Sequence, residues 1–180
     1  MNKIKNEEKP HKHRTEREYL TIDELRKLAQ TPFYNGLLKK AFLFSCFCGL
    51  RHSDIIALTW GDIEMDDDGN FRLYIIQKKT KEAISLPLSQ EAIKQLPKRE
   101  DAKEDDIIFK KLITLGRTNE ILPKWAEQAG IKKHITFHTA RHTHATMLLT
   151  LGVDLYTVSK LLGHTNIQTT QIYAKLVDES

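Results

Sequence analysis

The sequence predicts a mainly helical domain carrying one small antiparallel β-sheet, an α+β fold, on three observations. Segments on both sides of the chain's centre read as helices, opened by capping residues such as Thr21 and Ser89 and closed by Gly49 and Gly163. Between them, Phe71 to Ile76 is a β-rich run, and Ile84, Leu86 and Leu88 alternate with polar neighbours. The 180 residues suffice to bury roughly 70% of the extended chain's surface, so a core forms without disulfides or metal.

Thr21-Ile-Asp-Glu24 is a capping-box pattern that opens a helix through about Gln30. A second helix runs from about Gly36 to Cys48, and a third begins near Ser53 and holds Ile55, Ile56 and Leu58. Asp66 to Asn70 is a turn, with a short strand around Asp62 to Met65 before it and the Phe71 strand after it. Gln77 to Glu82 then joins the two longer strands, and Lys98 to Asp106 reads as a solvated charge run. Helices follow at about residues 118–129, 138–150, 155–161 and 166–176.

Composition narrows the function classes. The longest apolar run, Ala41 to Leu50, is ten residues, about half of what spans a bilayer. The N-terminus opens with charge and has no apolar secretory segment, so a cytoplasmic protein with no membrane partner is expected. Residues 1–18 read as a mobile, mildly basic leader or linker, and 19–180 as the domain proper. A net charge of +4 suits a polyanionic partner without demanding one. Cys46 and Cys48 face nearly opposite sides of a helix, which argues against a mutual disulfide, and no second cysteine pair exists for zinc.

Four windows hold residue types that carry chemistry, and each is ambiguous alone. In Cys48-Gly-Leu-Arg-His-Ser-Asp54, Arg51 stands between two helices and in isolation reads as a surface residue or a partner of Asp54. In Gln77-Lys-Lys-Thr-Lys81, three lysines at a hairpin tip ordinarily give only solubility. In Phe137-His-Thr-Ala-Arg-His-Thr-His144, His138 and Arg141 share a helix face and can converge on one anion. His138 and His142 also have chelating spacing, but the Glu of an H-E-x-x-H site is missing, so His142 and His144 are expected to be structural. In the fourth window, residues 158–173, two short helices joined at Gly163 look like a groove-reading helix-turn-helix. There His164 and Tyr173 lie nine residues apart.

Taken together, the order Gly49-Leu-Arg51, Lys79-Thr80, His138-x-x-Arg141, Leu162-Gly-His164 and Thr170-Gln-Ile-Tyr173 resembles the catalytic domain of tyrosine recombinases, the phage integrase family. The resemblance covers nearly all of the chain from Tyr19 to Leu176. It implies a site-specific recombinase or integrase of bacterial, phage or mobile-element origin. Such enzymes cleave and rejoin double-stranded DNA through a covalent 3′-phosphotyrosine, with no metal and no nucleotide cofactor. It further implies Tyr173 as nucleophile, Arg51 and Arg141 on the phosphate, and His164 as a third phosphate contact. His138 is then a base for Tyr173 or another phosphate contact. Lys79, with Lys78 and Lys81 as alternates, is the general acid, and Asp54 has a supporting role. Family members assemble as homo-oligomers, tetramers on DNA, and carry an N-terminal clamp domain that is expected to be absent here. Two other readings remain open: a non-catalytic helix-turn-helix module, and a type IB topoisomerase-like enzyme sharing the chemistry.

Overall fold

Helix α2 (Gly36–Cys48) forms the centre, because nearly every side chain from Ala41 onward is apolar and that part can be buried on all sides. Asn35 caps its start by accepting from the Leu38 amide at 3.0 Å, and Gly49 ends it in the left-handed conformation, with φ of 72°. The computed structural model describes residues 17–178, so residues 1–16 of the expected leader lie outside the described residues.

Helix α1 (Ile22–Gln30) starts at the capping box read from the sequence, in which Thr21 and Glu24 each satisfy the other's backbone amide. The Leu20 amide donates to Thr143 Oγ1 at 3.0 Å, tying the segment before α1 to α6 (Phe137–Thr150). Helix α6 packs along α2, and α5 (Leu115–Gln128) brings Trp125 into the same core. That indole stacks on Phe33 at 4.8 Å and meets Phe42 edge-on at 5.9 Å, and Phe42 in turn meets Phe137.

The sheet has three strands in sequence order, β1 (Ile63–Met65), β2 (Phe71–Ile76) and β3 (Ala83–Pro87), all antiparallel. The register pairs Ile63 with Leu73, and Leu73 with Leu86, so one face enters the core while Tyr74 and Ile76 stay exposed. Helix α3 is one short turn, His52–Ile55, and α4 spans Gln90–Lys94 behind its Ser89 cap. The charge run is more ordered than its composition suggests. The Trp60 and Gly61 amides donate to Asp106 and Glu104 carbonyls, and Arg99 lies over the Trp60 ring. Helix α5 begins three residues ahead of the expected Thr118, at Leu115 behind an N-cap Thr114; Gly116 in its first turn obscured that start.

Helices α7 (Leu155–Leu162) and α8 (Gln168–Asp178) close over one end of α6 around a second apolar cluster of Ala145, Val158, Leu162 and Tyr173. Gly163 ends α7 with φ of 64°, and a Cβ there would stand 2.6 Å from Gln77 Oε1. Gly130 shares the positive φ, 71°, but a Cβ there would meet none of the described residues beyond its chain neighbours within 4 Å. Gly130→Ala should therefore cost about 1 kcal/mol through backbone strain alone. Gly163→Ala should cost about 2–4 kcal/mol, because its methyl must also displace Gln77. Urea unfolding of the two variants measures the difference.

Candidate active site

The ends of these elements surround one cavity of about 800 Å³, with Arg51, Lys79, His138, Arg141, His164 and Tyr173 all in its wall. Six positions spread over more than a hundred residues of sequence thus converge. Arg51 is presented at the N-cap of α3 because Gly49 turns the chain out of α2 two residues earlier. The turn is close-packed: a Cβ on Gly49 would fall 2.7 Å from the His144 ring.

Arg141 is 1% exposed and held from two sides. Nη1 donates to the Gly49 carbonyl at 2.8 Å, and Nη2 to the Leu162 carbonyl at 2.7 Å. Burial and then the neighbouring Arg51 charge lower its pKa to about 10, so it stays charged at neutral pH. Arg51 Nη1 donates to Gln77 Oε1 at 2.9 Å rather than to Asp54. Gln77 is fully buried, and it also accepts from the Thr80 hydroxyl and donates to the Leu162 carbonyl at 3.0 Å. The sequence offered no sign of this junction beyond a polar residue closing a strand.

Asp54 acts on the hairpin. Its Oδ1 accepts the Lys78 amide at 2.9 Å, and its Oδ2 is buried without a hydrogen-bond partner among the described residues. The Gln77 amide and Glu82 carbonyl close the same loop. Of the three lysines there, Lys79 lines the cavity, whereas Lys78 and Lys81 do not.

The histidines divide differently from expectation. His144 is structural, buried with Nδ1 3.3 Å from the Cys46 carbonyl. His142, expected to be structural too, belongs to the site: its Nδ1 lies 3.0 Å from the Tyr173 hydroxyl. The ring of His138 stands edge-on to His142 at 4.5 Å and reaches the phenol only through it. The spacing of four residues between the two histidines was the available sign, read from sequence only as a chelating pattern. His164 lies parallel to the Tyr173 ring at 6.5 Å and is oriented by Thr170 Oγ1 at 2.7 Å. Arg17, assigned from sequence to the leader, also lines the cavity, with Glu18 as the carboxylate beside it. Among the described residues, no three His, Cys, Asp or Glu side chains gather as a metal ion requires.

Four cationic side chains and a buried phenol line this cavity, an arrangement whose charge suits an anion. Burial, then Arg141, Arg51, Lys79 and Arg17, push His138 down to about 4, although the residue as a whole is exposed, so the surrounding cations are the firmer cause. His164 is also held at about 4, by burial, Arg141 and Arg51, and His142 at about 3. Burial raises the Tyr173 phenol, while Arg141, Arg17 and Arg51 pull it back.

The phage integrase family model matches residues 18–180. The chain belongs to the phage integrase family. Relatives of this integrase-family chain include the tyrosine recombinase XerC of Chlamydia caviae, 32% identical over 169 residues, covering 86% of this chain and 53% of the relative. XerD of Listeria monocytogenes is 34% identical over 173 residues, covering 86% and 56%. The chain thus spans about half the length of the curated relatives it matches. The fold matches the crystal structure of XerA recombinase with a TM-score of 0.69 at 22% identity, over 86% of this chain and 59% of that one. A lambda integrase dimer bound to a COC′ core site matches at 0.67 and 24% identity, over 86% and 58%. No helix among the described residues is long and apolar enough to cross a membrane.

The neutral histidines have a consequence for stability. A folded pKa below the unfolded value means that the unfolded chain binds more protons between the two, so stability is full above about pH 6.5 and falls as pH drops toward 4. Fully buried His144, held at about 4, should alone remove on the order of 2–3 kcal/mol between pH 7.5 and 4. Urea midpoints across that range measure it.

Proposed function

We propose that this chain is the catalytic domain, from about Tyr19 onward, of a site-specific recombinase that cleaves and rejoins double-stranded DNA through Tyr173. The observation that carries the reading is the placement of a buried tyrosine hydroxyl in one cavity with Arg51, Arg141, Lys79 and His164. A phosphodiester is an anion whose transition state gathers further charge on its non-bridging oxygens. Arginine suits it, because a guanidinium is always protonated and presents planar paired donors. Arg141 has two N–H groups committed to carbonyls, which fix its plane. Its remaining donors, with those of Arg51, serve the phosphate as preorganised charge.

Tyr173 attacks phosphorus and forms the 3′-phosphotyrosine, conserving the ester bond so that a 5′ hydroxyl can reverse the step. The departing 5′ alkoxide is a far worse leaving group than a phenolate and needs a proton, which Lys79 supplies from the hairpin tip. His164 and His138, kept neutral, act as hydrogen-bond donors to the phosphate oxygens. Asp54 supports Lys79 by fixing the Lys78 backbone. In the complete protein the reaction partner is DNA and the working form a homo-tetramer assembled on it, in the cytoplasm; size-exclusion chromatography with and without a recombination site tests the assembly. A groove-reading module would have no use for a buried tyrosine among arginines.

On a nicked suicide substrate, wild type should form a covalent protein–DNA band on denaturing gels, and Tyr173→Phe should bind DNA yet form none. A band in the Phe variant removes the assignment. Arg141→Lys should slow cleavage on the order of 10²-fold or more, because one oriented fork is lost. Lys79→Ala should be slow on ordinary DNA and largely restored when the bridging 5′ oxygen is sulfur, whose departure needs no proton. Arg141→Ala should not be restored, and restoration of Lys78→Ala or Lys81→Ala instead would move the acid to that residue.

A further inference from the structure

Among the described residues, the hydrogen-bond partner of the Tyr173 hydroxyl is His142 Nδ1, at 3.0 Å. The imidazole is fixed on both sides, edge-on to His138 at 4.5 Å and tilted against the Tyr173 ring at 5.5 Å. We propose that His142 is a catalytic residue, which aims the Tyr173 hydroxyl and takes its proton as the oxygen attacks phosphorus. The proposal rests on the strand-transfer reading above. His138 was expected to be that base or a phosphate contact; its ring meets His142, and among the described residues the phenol's hydrogen bond goes to His142.

Phenol is a stronger acid than a neutral imidazole N–H, so the favoured pairing is O–H donating to an unprotonated Nδ1, with the ring proton on Nε2. In the forward step the Tyr173 O–H bond breaks and its proton passes to Nδ1. The phenolic oxygen bonds to phosphorus, and the bond from phosphorus to the 5′ oxygen breaks. That oxygen keeps the electron pair and takes a proton from Lys79. Rejoining reverses both transfers, and the departing phenolate recovers its proton from His142. The basicity of the ring follows the substrate. Burial first, then His138, Arg17 and Arg141, hold its pKa low, which leaves Nδ1 unprotonated but makes the ring a weak base before substrate arrives. A phosphodiester between Arg51 and Arg141 offsets the cationic part of that field, so the imidazole becomes a better base when there is a proton to take.

Nitrogen-15 NMR of the histidine-labelled chain at pH 7.5 reads the tautomer without requiring activity. His142 should be neutral with its proton on Nε2, and its Nδ1 resonance should move in Tyr173→Phe. A proton on Nδ1 would overturn the proposal, because the ring would then be donating to the phenol. On the nicked substrate, His142→Phe should bind DNA as wild type does and form the covalent band on the order of 10²-fold more slowly, or worse. His142→Asn, which places an amide oxygen near the Nδ1 position but cannot take the proton, should stay slow as well. Wild-type rates from His142→Phe, with loss confined to His138→Phe, would give the proton to His138 and defeat the assignment alone. A wild type that forms no band defeats the strand-transfer reading and the proton transfer with it.

Discussion

Burying a guanidinium that stays charged at neutral pH is costly, and the rest of the site is arranged around what makes it tolerable. An isolated ion moved out of water costs several kcal/mol even after the surroundings relax. Arg141 meets two carbonyls, those of Gly49 and Leu162, and both lie at helix C-termini. There the backbone dipole places partial negative charge and the last carbonyls lack partners in the helix. One cation thus satisfies orphaned acceptors on α2 and α7, and the two helix ends together solvate it. Each helix ends in a left-handed glycine, Gly49 and Gly163, which turns the chain away and leaves those carbonyls accessible.

Gln77 extends the same logic to the sheet. Its side chain joins Arg51, the Thr80 hydroxyl and the Leu162 carbonyl, so the β2–β3 hairpin, α3 and the end of α7 meet at one buried amide. Leu162 O accepts from both Arg141 and Gln77, which fixes the two arginines relative to each other through a single backbone atom. Lys79 projects from the loop that this amide and Asp54 hold. Rigidity here comes from the several partners of the Gln77 amide in a low-dielectric setting, where leaving a buried polar group unpaired costs more than a pair gains.

The sequence made the periodic and punctuated parts of this structure legible. Thr21 with Glu24, Gly49, Ser89 and Gly163 marked helix ends because capping is chemistry between near neighbours. The alternation from Ile84 to Leu88 marked a strand because one face must be buried. The order of Arg51, Lys79, His138, Arg141, His164 and Tyr173 was visible as a family resemblance, and the cavity gathers those same six. What sequence could not give was contact across elements. His142 looked like its neighbour His144, since nothing in the window says which imidazole faces α8 and which faces α2. Gln77 and Arg17 carried no local pattern at all, and their place depends on where the hairpin and the segment before α1 fold back.

The division between arginine and histidine has a physical basis. Placing protonated imidazoles beside Arg51, Arg141 and Lys79 would stack like charges in a half-closed cavity, so burial and the arginines drive His138, His142 and His164 to the neutral form. Neutral rings can both donate and accept, which the guanidinium groups cannot do. In the proposed reaction fixed charge therefore resides in the arginines, and proton transfer in the histidines and Lys79. The same cations act on Tyr173 in the opposite sense. Arg141, Arg17 and Arg51 favour its phenolate against the burial that opposes it, so in the proposed reaction the field that keeps the imidazoles neutral also lowers the cost of forming the phenolate. An anion between the arginines weakens both effects at once, relieving the base while removing some support from the phenolate. In the proposed reaction the phenol's proton then leaves in concert with bond formation to phosphorus, and an acceptor already in hydrogen-bond contact with the hydroxyl is what a concerted path requires.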